Sequence, residues 1–408
     1  MVDATSLDAG IRPRDVPDGC PVAHGGDERK TAALAAQRVK PNYPQAKVVT
    51  DFKFARDILR NATMLQAGAE GMDLSNPDQV SFFFLDGEIH RQKRSKVSRY
   101  FQTKAIEQRY HPVMERVMDR LITELKRGGR KPLDIMSFQM AVEVAAEVVG
   151  LTQSDPDAMS KRIRMQFIAM SKRPSGALHA RWIKAVQTFR VLRFFNADVK
   201  PAIRARKTEP RDDVISTLVK ENYTERAILI ECMTYATAGM LTTREFIVAA
   251  TWYLFDRPEV RERFLNGDKS EQFAILYEVL RLEPVAGMIQ RRATADWTGP
   301  NGEQVKAGEI YAIDIRAVNT DEKVVGPCPF SFDESRVKVM KGPPTWMSFA
   351  EGAHRCPGNQ VAIEETRYFL DRLFRVPGIR LVTLPKVAWF DAVKGYELHG
   401  ALVSCDPA

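Results

Sequence analysis

Apolar residues return every three or four positions over several long stretches of the chain, the signature of helices with one buried face. The clearest case is 103–127, TKAIEQRYHPVMERVMDRLITELKR, followed by the stop signal Gly128-Gly129. Similar patterns predict helices over about 137–150, about 178–206 and 271–283, the last halted by Pro284. The stretch 225–255, ERAILIECMTYATAGMLTTREFIVAATWYLF, is apolar around most of its circumference. At roughly 1.5 Å per residue it spans about 45 Å, so it is expected to cross the molecule as a buried axle. After Pro284 the texture changes to short alternating runs interrupted by Gly299-Pro300-Asn301-Gly302 and Ala307-Gly308, which predict hairpins. Residues 1–40 mix Asp, Gly, Pro, Arg and Lys without periodicity and read as a loosely ordered arm. The remainder, 41–408, shows no repeat and no linker, and is expected to be mainly α with a small β-rich side.

Composition narrows the class. Sixty Lys and Arg against fifty-two Asp and Glu give a net charge of +8, which permits an acidic partner. Aromatic and basic residues do not interleave in a recognised nucleic-acid motif, so no nucleic-acid partner is expected. No stretch approaches the roughly 18 uninterrupted apolar residues of a membrane helix, and residues 1–12 lack the apolar segment of a secretory signal. A cytoplasmic protein without a membrane partner is therefore expected. Cys20, Cys232, Cys328, Cys356 and Cys405 are too sparse for a disulfide framework. They read as thiols, one of them a candidate ligand.

That candidate is Cys356, in the segment SFAEGAHRCPGNQVAIEETRYFLDRL of 348–373. Pro357 and Gly358 lead from it into a helical pattern, whose N-terminal amides favour a thiolate able to ligate a metal or act as a nucleophile. Phe349, Gly352, Cys356 and Gly358 have the spacing Phe-x-x-Gly-x-x-x-Cys-x-Gly, with glycines permitting a tight loop beside a flat cofactor. In these residues the sequence resembles the cytochrome P450 family of haem-thiolate monooxygenases, soluble and of bacterial type. The resemblance runs from about Asp86 to the C-terminus and implies that family's fold around a long central helix, in one catalytic domain.

By that resemblance Cys356 is the axial ligand of haem b, with Phe349 and Gly358 beside it. His90 and Arg94, four apart, match a cation pair for the haem propionates, as do His354 and Arg291, with neighbouring Arg292 the alternative to the latter. Glu278 and Arg281 match the family's Glu-x-x-Arg, and Arg336 its third member, expected to brace the cysteine loop. Ala238-Gly239-Met240-Leu241-Thr242 resembles the oxygen-binding motif, in which Gly239 lets the helix open and Thr242 organises proton delivery. Leu241 departs from the pattern by replacing the usual acid, and Ala350 stands where glycine is commoner in the loop. Glu245 is a weaker candidate for the relay than for an ion pair with the Arg244 neighbourhood.

The implied activity is insertion of one oxygen atom from dioxygen into a hydrophobic small molecule by a monomer. No flavin or dinucleotide motif is present, so electrons are expected from a separate ferredoxin and NAD(P)H-dependent ferredoxin reductase. Arg91, Lys93, Lys96, Arg99 and Arg355 would form the basic docking face. Two rivals remain: a peroxide-dependent haem-thiolate peroxygenase, and a non-catalytic haem sensor or carrier. Phe82, Phe83, Phe84, Tyr235, Ala238, 285–289 and the turn near Phe390 are candidate pocket residues, and could equally be core.

Overall fold

The computed structural model describes residues 27–68, 76, 80–170, 175–339, 344–391 and 393–406. The helical periodicity becomes helix nearly where it predicts. The 103–128 segment is helical through a π turn at Ile106–Tyr110, and Gly129 terminates it at φ +66°, a left-handed value that suits glycine. The helices include α1 (Gly87–Ser98), α2 (Pro156–Met170), α3 (Ala177–Phe194), the axle α4 (225–256), α5 (Lys269–Leu282) and α6 (Asn359–Phe374), of which α1, α4, α5 and α6 position the site.

The axle is not uniform. Glu225–Tyr235 and Thr242–Asp256 are α-helical, and between them Ala236–Leu241 widens into a π turn. Thr234, Thr237 and Thr242 donate their hydroxyls to the carbonyls of Ile230 (3.0 Å), Met233 (2.9 Å) and Ala238 (2.6 Å). These bonds compete for the helix's own acceptors around Gly239, which has no Cβ to resist the widening.

The β side is a four-stranded sheet in the order β1 (Lys47–Val49), β4 (Ile310–Asp314), β3 (Met288–Ala293) and β2 (Met64–Gln66). Strand β1 runs parallel to β4 and the other two pairings are antiparallel. The predicted turn at 299–302 joins a two-stranded ribbon, Trp297–Thr298 with Gln304–Val305. A further hairpin, β5 (Lys386–Phe390) with β6 (Gly395–His399), packs against the axle. The largest apolar cluster surrounds α4, α5 and α6, and a second lies between the four-stranded sheet and Phe52–Arg60.

Two expectations change. The arm expected over 1–40 is fastened from residue 27 onward: Ala32–Arg38 is helical, and Thr31 is buried. The Thr31 hydroxyl donates to Glu283 (2.5 Å) and Arg257 pairs with Glu28 (2.6 Å). Residues 1–26 lie outside the described residues. Cys328 is disulfide-bonded, so the expectation of five thiols does not hold. Cys20 lies outside the described residues, and Cys232, Cys356 and Cys405 are free. Among the described residues no helix is long and apolar enough to cross a membrane.

Candidate functional site

The cysteine loop is built from backbone that most residues resist. Trp346, Ala350 and Gly352 have φ of +53°, +57° and +68°, and each non-glycine residue there costs about 1–2 kcal/mol. Ala350 thus adopts the conformation for which glycine would be expected. At Gly352 a Cβ would lie 2.1 Å from the Leu59 carbonyl, so only glycine fits. The Cys356 N–H donates to the Phe349 carbonyl at 2.8 Å and closes the loop. Phe349 packs against the main core, and Gly358 caps α6.

The Cys356 thiol is half-buried. Burial pushes its pKa up, and the Gly358 amide, Arg94 and Arg355 only partly oppose that. In the protein alone, desolvation therefore outweighs the helix-terminus effect expected from sequence. A metal cation bound there would reverse this balance by favouring the thiolate.

Beneath the loop, Glu278 and Arg281 form a fully buried bidentate pair with both contacts at 2.7 Å. Arg281 also donates to the carbonyls of Asn319 (3.3 Å), Pro329 (2.5 Å) and Ser331 (2.9 Å). Asn319 relays this order to the cysteine loop: its Oδ1 accepts the Met347 N–H (2.9 Å) and its Nδ2 donates to Ser348 Oγ (2.8 Å). Arg336 lies 3.8 Å from Glu278 and donates to the Pro327 and Cys328 carbonyls at 3.0 Å each.

The four predicted propionate residues fall on three elements and meet beside the loop. His90 and Arg94 share a face of α1, and Arg94 donates to the Arg355 carbonyl. The His90 ring stacks on His354 with centroids 4.0 Å apart. Burial, then the His354 and Arg94 charges, push His90 down to about 4, so it is neutral at pH 7. Its Nε2 is buried without a hydrogen-bond partner.

Arg291 is buried on β3, whereas Arg292 is more exposed and donates to the Gly308 carbonyl at 3.5 Å. The geometry thus favours Arg291 over its neighbour. Burial lowers it to about 10, with Asp86 opposing.

Two residues not foreseen complete the cluster. Gln66 stands opposite Arg291 across the β2–β3 ladder, accepts from its guanidinium and lies 3.4 Å from His354 Nδ1. Asp86 bonds His354 Nε2 at 2.8 Å and accepts the Gln66 N–H at 3.0 Å. Although burial raises the Asp86 carboxyl, these bonds hold it below the usual range.

On the axle, Ala238 is exposed and a Cβ on Gly239 would meet nothing within 4 Å, so the π turn borders open space. Thr242 donates to the Ala238 carbonyl and keeps its lone pairs available. Leu241 points the other way, buried in the main core. Glu245 is buried and bonded to Arg244 (2.7 Å) and to the Leu398 N–H (2.7 Å), so it anchors β6 rather than facing the open space. Of the candidate pocket residues, Phe82 lies 6.2 Å from the Tyr235 ring, while Val285 and Phe390 belong to the core.

A flat dianionic cofactor fits this arrangement. An orphaned imidazole nitrogen on His90, an orphaned Nε on Arg355 and two further guanidiniums stand beside a strained loop that presents a thiol. Together the helical fold, the thiol loop and the cation cluster suit a haem-thiolate protein. Known proteins agree. A cytochrome P450 family profile matches residues 273–376. The mycinamicin IV hydroxylase/epoxidase of Micromonospora griseorubida is 26% identical over 383 residues, covering 90% of each chain. The biotin biosynthesis cytochrome P450 of Bacillus subtilis is 26% identical, covering 82% of this chain and 84% of its own. A crystal structure of P450BioI with a hexadec-9Z-enoic acid ligated acyl carrier protein has a TM-score of 0.72 at 21% identity, covering 92% of this chain and 96% of its own. These likenesses support a bacterial-type P450 monooxygenase, an oxidoreductase with haem b held through an axial cysteine thiolate.

Proposed function

We propose that Cys356 is the axial ligand and that residues 41–408 form a single catalytic domain that oxidises a hydrophobic small molecule with dioxygen. The observation that carries this reading is the convergence on one cysteine of the loop closure, in which its N–H donates to the Phe349 carbonyl, and of the Gly358 amide and the Arg94 and Arg355 guanidiniums beside its thiol. His90, Arg94, Arg291 and His354 would hold the propionates, with Gln66 and Asp86 orienting Arg291 and His354. When bound, haem supplies dioxygen activation, and thiolate donation favours O–O cleavage. Thr242 Oγ, anchored on the Ala238 carbonyl, is placed to accept a hydrogen bond from water in the open space and to direct protons there.

A hydrophobic substrate is supported by the apolar Ala238 exposed beside that space, and by relatives named steroid C26-monooxygenase and vitamin D(3) 25-hydroxylase. Electrons would come from a separate ferredoxin and its NAD(P)H-dependent reductase, in the cytoplasm, to a monomer. The expected basic docking face is partly neutralised: Lys96 pairs with Glu221 (2.6 Å), Arg99 with Asp212 (3.5 Å) and Arg91 with Glu88. Its electrostatic pull is correspondingly modest. A peroxide-driven reaction is the second reading, favoured by the buried Leu241 where an acid would serve proton relay. Turnover assays decide. Product formation with ferredoxin, reductase and NAD(P)H supports the proposal, product with peroxide alone supports the rival, and haem binding without product under either regime refutes both.

A further inference from the structure

Helix α3 carries an apolar ridge on the face directed away from the protein. Ile183 and Phe194 are buried on its inner side, and Arg190 on that side donates to the Met165 carbonyl of α2. Opposite them, Leu178 is 81% exposed, Trp182 55%, Phe189 65% and Leu192 51%, with Ala185 exposed among them. The Trp182 ring lies tilted against His179, with centroids 6.0 Å apart. These five positions advance by four, three, four and three residues, a strict heptad spacing. On a helix they occupy an arc of only about 80°.

Charge flanks the ridge with one sign. Arg181 and Lys184 are exposed on one side and Arg193 on the other, and the sequence of α3 contains no Asp or Glu. We propose that this ridge is a docking seam for an acidic amphipathic helix of another protein. A lipid surface suits it less, because helices that lie in a membrane present a broad apolar face, whereas a narrow heptad seam matches one helix. A second copy of the chain also suits it less. Two-fold antiparallel pairing would bring the Arg181–Lys184 flank against its own copy, like charge against like. Carboxylates at the flanking positions of a partner would instead meet cations on both edges. This inference does not depend on the reaction at Cys356.

The probe is a fluorescent three-heptad peptide with leucine at the seam positions and glutamate at the flanks, compared with the same peptide carrying lysine at the flanks. Binding to the haem-loaded full-length protein is read by anisotropy. The glutamate peptide is expected to bind at least about tenfold more tightly than the lysine peptide, and to weaken as salt is raised. Leu178→Gln with Phe189→Gln should abolish binding, and Arg181→Glu with Lys184→Glu should reverse the preference, with the carbon monoxide spectrum unchanged in both. Three results would overturn the proposal: equal or absent binding of the two peptides, self-association in sedimentation that Phe189→Gln abolishes, or flotation with phosphatidylglycerol–phosphatidylcholine vesicles that the same variant abolishes. The salt dependence of the unaltered protein tests the charge argument without any variant.

Discussion

Leu241 and Thr242 are adjacent on the axle yet face opposite surroundings, because the π turn ends between them. Leu241 is 4% exposed within the main core, while Thr242 borders the open space beside Gly239. An acid at 241 would therefore be buried among apolar side chains, at a cost of several kcal/mol, about 2–7 for an unpaired polar group. Leu241→Asp should lower the melting temperature without raising product per electron pair, and a gain in coupling would show that this position reaches the reacting space. Thr242→Ala should instead release peroxide at the expense of product while leaving stability within about 1 kcal/mol. Coupling measurements on that variant with a turned-over substrate check the role.

Glu365 gives a pH prediction at the same scale. It is buried on α6 with one carboxylate oxygen unpartnered, and burial alone raises it to about 8. Between the ordinary value, near 4.5, and about 8 the folded protein binds this proton more strongly than the unfolded chain. Its contribution to stability is therefore greatest below the ordinary value and falls as pH rises through that window. Glu365→Gln should raise the melting temperature at pH 8 and change it little near pH 4.5, as read by thermal melts across that range. The opposite slope would mean that the carboxylate is solvated or paired.

At the scale of elements, the long helices were legible because their periodicity is local. The strands were less so: β2 has three residues, and its partner β3 lies more than two hundred residues away, so no window of sequence contains the Gln66–Arg291 pairing. For the same reason Asp86 and Asn319 gave no signal, whereas the Phe349–Gly358 loop did, its constraints being packed into ten consecutive residues. The Glu278–Arg281 pair holds α5, Asn319 and the loop in one relay. Removing one member leaves the other charged and buried, so Arg281→Ala should cost about 3–5 kcal/mol and reduce haem retention. Chemical denaturation and haem content measure the two effects. Gly352→Ala should disturb the loop locally, since its Cβ would meet the Leu59 carbonyl.

At the scale of the whole molecule, the site is assembled where the axle, α1, the four-stranded sheet and the loop before α6 converge. Sequence order alone indicated that convergence through matched motifs, but which cations are free to receive a ligand depended on packing. Arg291 and Arg292 face opposite sides of the sheet because alternate strand residues do, and of the two it is Arg291 that is buried. His90 keeps an unpartnered nitrogen because its neighbours in space, His354 and Phe82, offer ring faces to it.

The most direct measurement is the absorbance of the reduced, carbon monoxide-bound protein and of five single variants, one at each cysteine. The unaltered chain should show the long-wavelength Soret band of thiolate-ligated haem. Cys356→Ser should lose that band, and replacement of Cys20, Cys232, Cys328 or Cys405 should leave it in place. A thiolate band that survives Cys356→Ser, or that disappears on replacing another cysteine in a folded, haem-loaded protein, would contradict the assignment of Cys356.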